Sequence, residues 1–244
     1  MRDALTGAAR RGAHVAVTLQ ADPYRNPFGS RCNAEAARVL RAAGAGVSLL
    51  PSERTPFHLK AAVCDGVAYL DDRNWTKRGP EIVVADDDPR DVGLVRDALA
   101  GRGGADRALA TRKDVALSRE VALVDGACGI PVTVETERVA TSPLTRALER
   151  HARSGAKTTL IVAPSKSRGA REKSAIAQLA ADGVIVREGG SNQKLALAGR
   201  VAWIGSGNAT GASGRSAAQL EWGLRTRNRA LVGAVATALA RDLR

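Results

Sequence analysis

The 244-residue chain is poor in aromatic residues, with two Phe, two Tyr and three Trp. So few rings argue against a protein that holds single strands by stacking bases. They also leave the core to Ala, Val, Leu and Ile. Cysteine is equally scarce. Cys32, Cys64 and Cys128 are odd in number and have no CxxC spacing. Neither a disulfide framework nor a zinc site is expected from them. They read as small buried apolar side chains in a reducing compartment. No apolar run approaches the length of a membrane span. The N-terminal stretch has no apolar signal region or cleavage site. The expected location is therefore cytoplasmic.

What the chain has in excess is arginine and alanine. With 37 Lys and Arg against 25 Asp and Glu, the formal charge is +12. That balance suits an anionic partner: nucleic acid, an anionic membrane surface or a phosphate substrate. The hydrophobic share of 44% is enough for one large domain or two of ordinary size.

The order of patterns repeats. RDALTGAARRGAHVAVTLQ reads as helix, Gly turn, strand, and so does PLTRALERHARSGAKTTLIVAP. AEAARVLRAAGAGVSLL and KSAIAQLAADGVIVRE are each an amphipathic helix, a Gly stop and a short β-branched strand. HLKAAVCDGVAYLDDRN and NQKLALAGRVAWIGSGN each read as a hairpin with a two-residue loop, Asp-Gly for type I′ and Gly-Arg for type II′. A Glu-led strand and a helix close each half. The chain is an internal duplication of α/β class, each lobe a mixed sheet flanked by helices. Residues 1–104 form the first lobe, 105–128 a connecting helix and 129–244 the second lobe. One element has no counterpart in the sequence as given: the alternating strand VTVETERV opens the second half, and either the first lobe lacks it or the recorded start is too late.

The two-residue loops fix the hairpin registers. Cys64 then faces Val67, Ala62 faces Tyr69 and Lys60 faces Asp71; Ala198 faces Val201, Ala196 faces Trp203 and Lys194 faces Gly205. Side chains alternate along a strand, so His58 and Lys60 share a face, as do Asn192 and Lys194. Asn74 and Asn208 follow the returning strands. Each hairpin gathers a cation, an amide and one more polar group at one end of a sheet, a set that suits a phosphodiester.

These segments resemble the phospholipase D superfamily, whose motif is HxK, four residues, Asp, then a Gly-Ser-x-Asn turn. His58, Lys60, Asp65 and Asn74 match it in the first copy; Lys194, Gly205, Ser206 and Asn208 match it in the second. A Glu follows each turn, here Glu81 and Glu221. The resemblance implies two lobes related by a pseudo-twofold with the site between them. It implies a phosphohistidine on His58, phosphate held by Lys60, Lys194, Asn74 and Asn208 with help from Ser206, and Glu81 orienting His58. No metal and no cofactor are implied. The substrate is a phosphodiester, phospholipid or nucleic acid, and no obligate protein partner is inferred. The chain departs from the pattern at Asn192, which replaces the second histidine. It departs again at Gly199, where the second Asp is expected, and at Asp71-Asp72, which replace Gly-Ser and bring negative charge to the turn. An inactive relative that binds an anionic polymer or lipid is the alternative.

Elsewhere, His14 reads as structural and His151 as exposed on a helix. The acidic run DDDPRD reads as a loop capping the next helix. The turn around Gly205, Gly207 and Gly211 lacks the βαβ unit that a dinucleotide site needs.

Overall fold

A computed structural model describes residues 1–23, 26–53, 56–73, 82–164 and 168–244. The sequence candidates Asn74 and Glu81 lie outside the described residues. The first half runs α1 (Arg2–Arg10), β1 (Ala16–Gln20), α2 (Pro27–Ala42), β2 (Gly46–Leu50), β3 (Ala61–Cys64), β4 (Val67–Asp71), β5 (Val83–Asp86) and α3 (Pro89–Leu99). Then come β6 (Leu109–Ala110) and α4 (Lys113–Asp125). The second half runs β7 (Val132–Thr136), α5 (Pro143–Arg153), β8 (Thr158–Val162), α6 (Ala170–Ala181), β9 (Ile185–Glu188), β10 (Leu195–Ala198), β11 (Val201–Gly205), β12 (Gly223–Thr226) and α7 (Arg229–Asp242).

Short polar caps start the helices. Asp88 at α3 and Asn228 at α7 occupy matching places, and each accepts a hydrogen bond from the N–H two residues on. Ser142 and Thr145 form a capping box at α5. Asp65 and Gly66 both have positive φ, as a type I′ turn requires; at the other hairpin only Gly199 does, the sign of a type II′ turn.

The hairpin registers are as the loops dictate: Cys64↔Val67 and Ala62↔Tyr69 in one, Ala198↔Val201 and Ala196↔Trp203 in the other. The second lobe forms a continuous mixed sheet in the order β6-β12-β11-β10-β7-β8-β9. There β7 pairs antiparallel with β10 and parallel with β8. Among the described residues of the first lobe, no strand takes that place. Its equivalents form a parallel pair, β1-β2, and an antiparallel set, β3-β4-β5. The unmatched VTVETERV pattern thus corresponds to the strand that joins the two parts of the second sheet.

The lobes share a core. Leu59, Leu70 and Val95 from the first half pack with Leu195, Ile204, Leu220 and Trp222 from the second. Separating them would re-expose these side chains at about 2 kcal/mol each. The backbone is stitched as well: His58 N–H donates to Leu220 O at 2.9 Å and Leu220 N–H to Pro56 O at 2.8 Å.

Two expectations are corrected here. All three cysteines are exposed; Cys32 lies on α2 and Cys64 closes β3 at the hairpin tip. His151 is buried, its Nδ1 2.7 Å from Thr158 Oγ1. It follows Leu144, Ala147 and Leu148 on the buried face of α5, where helical spacing carries it inward.

Candidate active site

His58 and Lys60 lie on the extended segment just before β3, not within it. Phe57 makes a single parallel bridge to Leu220, and the Asp71 N–H donates to Lys60 O at 2.9 Å. The second copy matches: the Gly205 N–H donates to Lys194 O at 3.0 Å. Both lysines fold back in the same way. Lys60 Nζ donates to His58 O and Lys194 Nζ to Asn192 O, each at 2.7 Å.

The partner of His58 is Glu221, from the opposite lobe. Glu221 Oε1 is 3.1 Å from His58 Nδ1, with side-chain exposures of 4% and 15%. Glu221 stands against the ring; Glu81, to which the resemblance gave the orienting role, lies outside the described residues. The local geometry explains the placement. Ser206, fully buried, accepts the Trp222 N–H at 3.0 Å and pins the residue after Glu221. Gly207 leaves the room. A Cβ there would lie 2.6 Å from Glu221 Oε2, closer than side chains tolerate.

Burial and the charge of Lys60 hold the His58 imidazole below its ordinary pKa, outweighing the pull of Glu221. Burial pushes Glu221 up, yet the hydrogen bond with His58 and the charge of Lys113 hold it below the ordinary carboxylate range. At neutral pH the pair is a neutral imidazole against a carboxylate. Burial and then Lys194 bring Lys60 down to about 7. The two lysines therefore feel each other across the lobe boundary. They differ in compensation: Lys194 has Glu137 Oε2 at 3.2 Å, while among the described residues no ion pair within 4 Å is formed by Lys60.

Asp71 and Asp72 are 0% exposed, so neither presents a carboxylate to the open cleft. Asp71 Oδ1 accepts the Arg73 N–H at 2.9 Å, and its carbonyl accepts the Trp222 indole N–H at 2.8 Å. Asp72 Oδ1 accepts the Ile82 N–H at 3.0 Å, as Ser206 accepts that of Trp222. Burial pushes the Asp72 carboxyl up, against the hydrogen bonds from Ile82 and Gln193. The charge stays close to the lysines even so: Asp71 acts on Lys60 and Lys194 acts on Asp72.

The remaining candidates separate. Asn208 is partly buried, and its Oδ1 accepts the Arg138 N–H at 3.2 Å, which leaves its amide NH2 to donate. Asn192 sits at φ 68°, a left-handed conformation that His58 does not share. Asp65 is exposed at the hairpin tip, at the far end of β3 from Lys60, and has no part in this cluster.

Three residues escaped the sequence reading. Lys113, the first residue of α4, has Nζ 3.8 Å from Glu221 Oε1 and 3.2 Å from Thr210 Oγ1. Glu120, two turns on, lines a small recess with Lys113, Trp203, Gly207, Asn208 and Glu221. Burial first, then Glu221, pushes its carboxyl up to about 8, so it carries a proton at neutral pH. Glu137 follows β7. Among the described residues no group of three or more His, Cys, Asp and Glu is placed to hold a metal ion.

No protein-family model matches the chain, and no curated protein does either. Solved structures do. The whole chain superposes on a polyphosphate kinase from Porphyromonas gingivalis with a TM-score of 0.67 at 14% identity. The chain has the phospholipase D fold. It spans 43% of the length of that kinase. Within the phospholipase D fold, partial matches are the family member Nuc from Salmonella typhimurium and NucT from Helicobacter pylori. The first covers 52% of this chain and 86% of Nuc at 13% identity and TM-score 0.46. The second covers 53% and 87% at 17% identity and TM-score 0.44. Among the described residues, no helix of this phospholipase D-like chain is long and apolar enough to cross a membrane.

Proposed function

We propose that the cleft between the lobes hydrolyses a phosphodiester through a phosphohistidine on His58, without a metal ion. The observation that carries this reading is the 3.1 Å contact between His58 Nδ1 and Glu221 Oε1. With its proton on Nδ1 toward Glu221, the imidazole has its lone pair on Nε2 for attack on phosphorus. A neutral imidazole at pH 7 is the form that can attack. Lys60 and Lys194 hold the phosphoryl oxygens, Asn208 and Asn74 donate to them, and Glu221 stabilises the charge that develops on the ring. Ser206 acts through Trp222 and Glu221. Asp65 has no role in this scheme.

Asn192 sets the limits of the reaction. An amide cannot protonate a departing alkoxide as an imidazolium can. The site therefore serves leaving groups that depart unprotonated: activated diesters, or the phosphate of a phosphoanhydride. The second of these agrees with the full-length likeness to a polyphosphate kinase. Phospholipid or nucleic acid esters would turn over slowly. The test is hydrolysis of bis(4-nitrophenyl) phosphate and of pyrophosphate by the wild type and by His58→Gln, with a chelator present. Turnover by the wild type that His58→Gln reduces to background supports the reading. A wild type that binds these anions and cleaves neither would establish the alternative, an anion-binding protein.

A further inference from the structure

The second lobe has Asn192 where a histidine is expected, yet it carries a carboxylate, Glu137, beside Lys194. Glu137 follows β7. Its Oε2 is 3.2 Å from Lys194 Nζ, which itself sits 2.7 Å from Asn192 O. The next residue, Arg138, donates its N–H to Asn208 Oδ1 at 3.2 Å, and Thr136 Oγ1 lies 3.4 Å from the same oxygen. The segment Thr136–Arg138 thus borders two candidate phosphate ligands at once. The charge of Glu137 also acts on Lys60 of the other lobe. Its side chain remains 44% exposed, so water reaches it. The other carboxylates of the cleft are differently placed. Glu221 contacts the Nδ1 side of the His58 ring, opposite the attacking nitrogen, and the buried Glu120 lies beside it in the same cleft.

We propose that Glu137 is the general base for the second half of the reaction, in the place where a second histidine would act. This rests on the phosphohistidine reading above. A water beside Glu137 attacks phosphorus as the P–Nε2 bond breaks. The water's proton passes to the Glu137 carboxylate, the electron pair of the broken bond returns to the imidazole, and the phosphoryl product leaves. Glu137 then gives its proton to solvent. An ionised carboxylate can take a proton from water but has none to give an alkoxide. The first step therefore stays limited to good leaving groups while the second is assisted. Lys194 acts twice, binding a phosphoryl oxygen and holding the carboxylate in position.

Rapid-quench kinetics with bis(4-nitrophenyl) phosphate test this. In Glu137→Gln the first turnover should keep its rate, the steady state should fall roughly a hundredfold, and the His58 adduct should accumulate. Glu137→Ala should lose the same step and recover part of it in added formate, which supplies an external carboxylate. Adduct that forms and decays at wild-type rates in Glu137→Gln overturns the proposal alone. So does an equal fall in both phases without formate rescue, because Glu137 would then only hold Lys194. Absence of any His58 adduct in the wild type overturns the phosphohistidine reading and this proposal with it.

Discussion

Strands β1 and β8 hold the same place in the two lobes, and their surroundings differ. All five positions of β8 are buried, whereas in β1 only Gln20 is. The cause is topological. In the second lobe β7 covers one edge of β8 and joins it to β10; in the first lobe nothing among the described residues joins β1 to β3. Gln20 makes a partial bridge, its Oε1 accepting the Phe57 N–H at 2.6 Å and its Nε2 donating to Leu50 O at 2.6 Å. Glu135 of β7 does similar work in the second lobe, where its Oε1 accepts the N–H groups of Ser191 and Gln193 at 2.8 and 3.2 Å. Burial and neighbouring Asp242 push Glu135 up to about 7. The comparison teaches a division of labour. The first lobe brings His58 on a lightly supported segment; the second lobe brings Glu221, which stands against its ring, and Glu137, which pairs with Lys194.

The largest effect should come from breaking the link between the lobes. Glu221→Gln keeps shape and removes the charge that holds the His58 tautomer, and turnover should fall about a hundred- to ten-thousandfold. Gly207→Ala should act on the same pair from a distance, since its Cβ meets the Glu221 carboxylate. A loss of about tenfold or more in kcat with KM little changed would separate displaced geometry from lost binding. If either variant keeps wild-type kcat, the cross-lobe pair is structural only.

The two lysines should differ in pH dependence. Lys60 titrates near 7 in the free protein, well below the unfolded value, so it gains its charge as pH falls through that range. Sulfate keeps its charge throughout. Its affinity should weaken by up to about tenfold per unit as pH rises above 7. Lys60→Arg, which stays charged, should flatten that dependence, and Lys194→Arg should leave it in place. Identical profiles for the two variants would show that the lobes do not differ here. The smallest effect should be on local stability. Amides of β1 should exchange at least about tenfold faster than those of β8, because β1 is less covered and opposes local opening less. Equal protection would mean that the difference in cover between β1 and β8 does not affect local opening.

Much of this architecture was legible in the sequence, and the reasons are local. Repeated order, two-residue loops and period-two alternation fix the hairpins, and with them the positions of Lys60 and Lys194 relative to Asp71 and Gly205. The unmatched strand was visible as VTVETERV. What was not legible depends on contacts between distant segments. Glu221 meets His58 across the lobe boundary, and no spacing rule connects them. Lys113 and Glu120 lie on a helix read only as a connector. Glu137 did leave a signal: it ends an alternating strand in which Glu135 falls on the same face, and paired carboxylates on a buried strand call for partners. Asp71 and Asp72 were legible as charge at the turn; their burial and their backbone N–H partners were not. The helical spacing of Leu144, Leu148 and His151 would have placed that histidine inside.

The most direct test of the central claim is to look for the covalent intermediate. The protein is mixed with bis(4-nitrophenyl) phosphate, quenched within the first turnover in alkaline denaturant to preserve the P–N bond, digested and read by mass spectrometry. The account predicts a nitrophenyl-phosphoryl adduct on His58, absent in His58→Gln and longer-lived in Glu137→Gln. Nitrophenol release without an adduct on His58, or with an adduct on another residue, would contradict it.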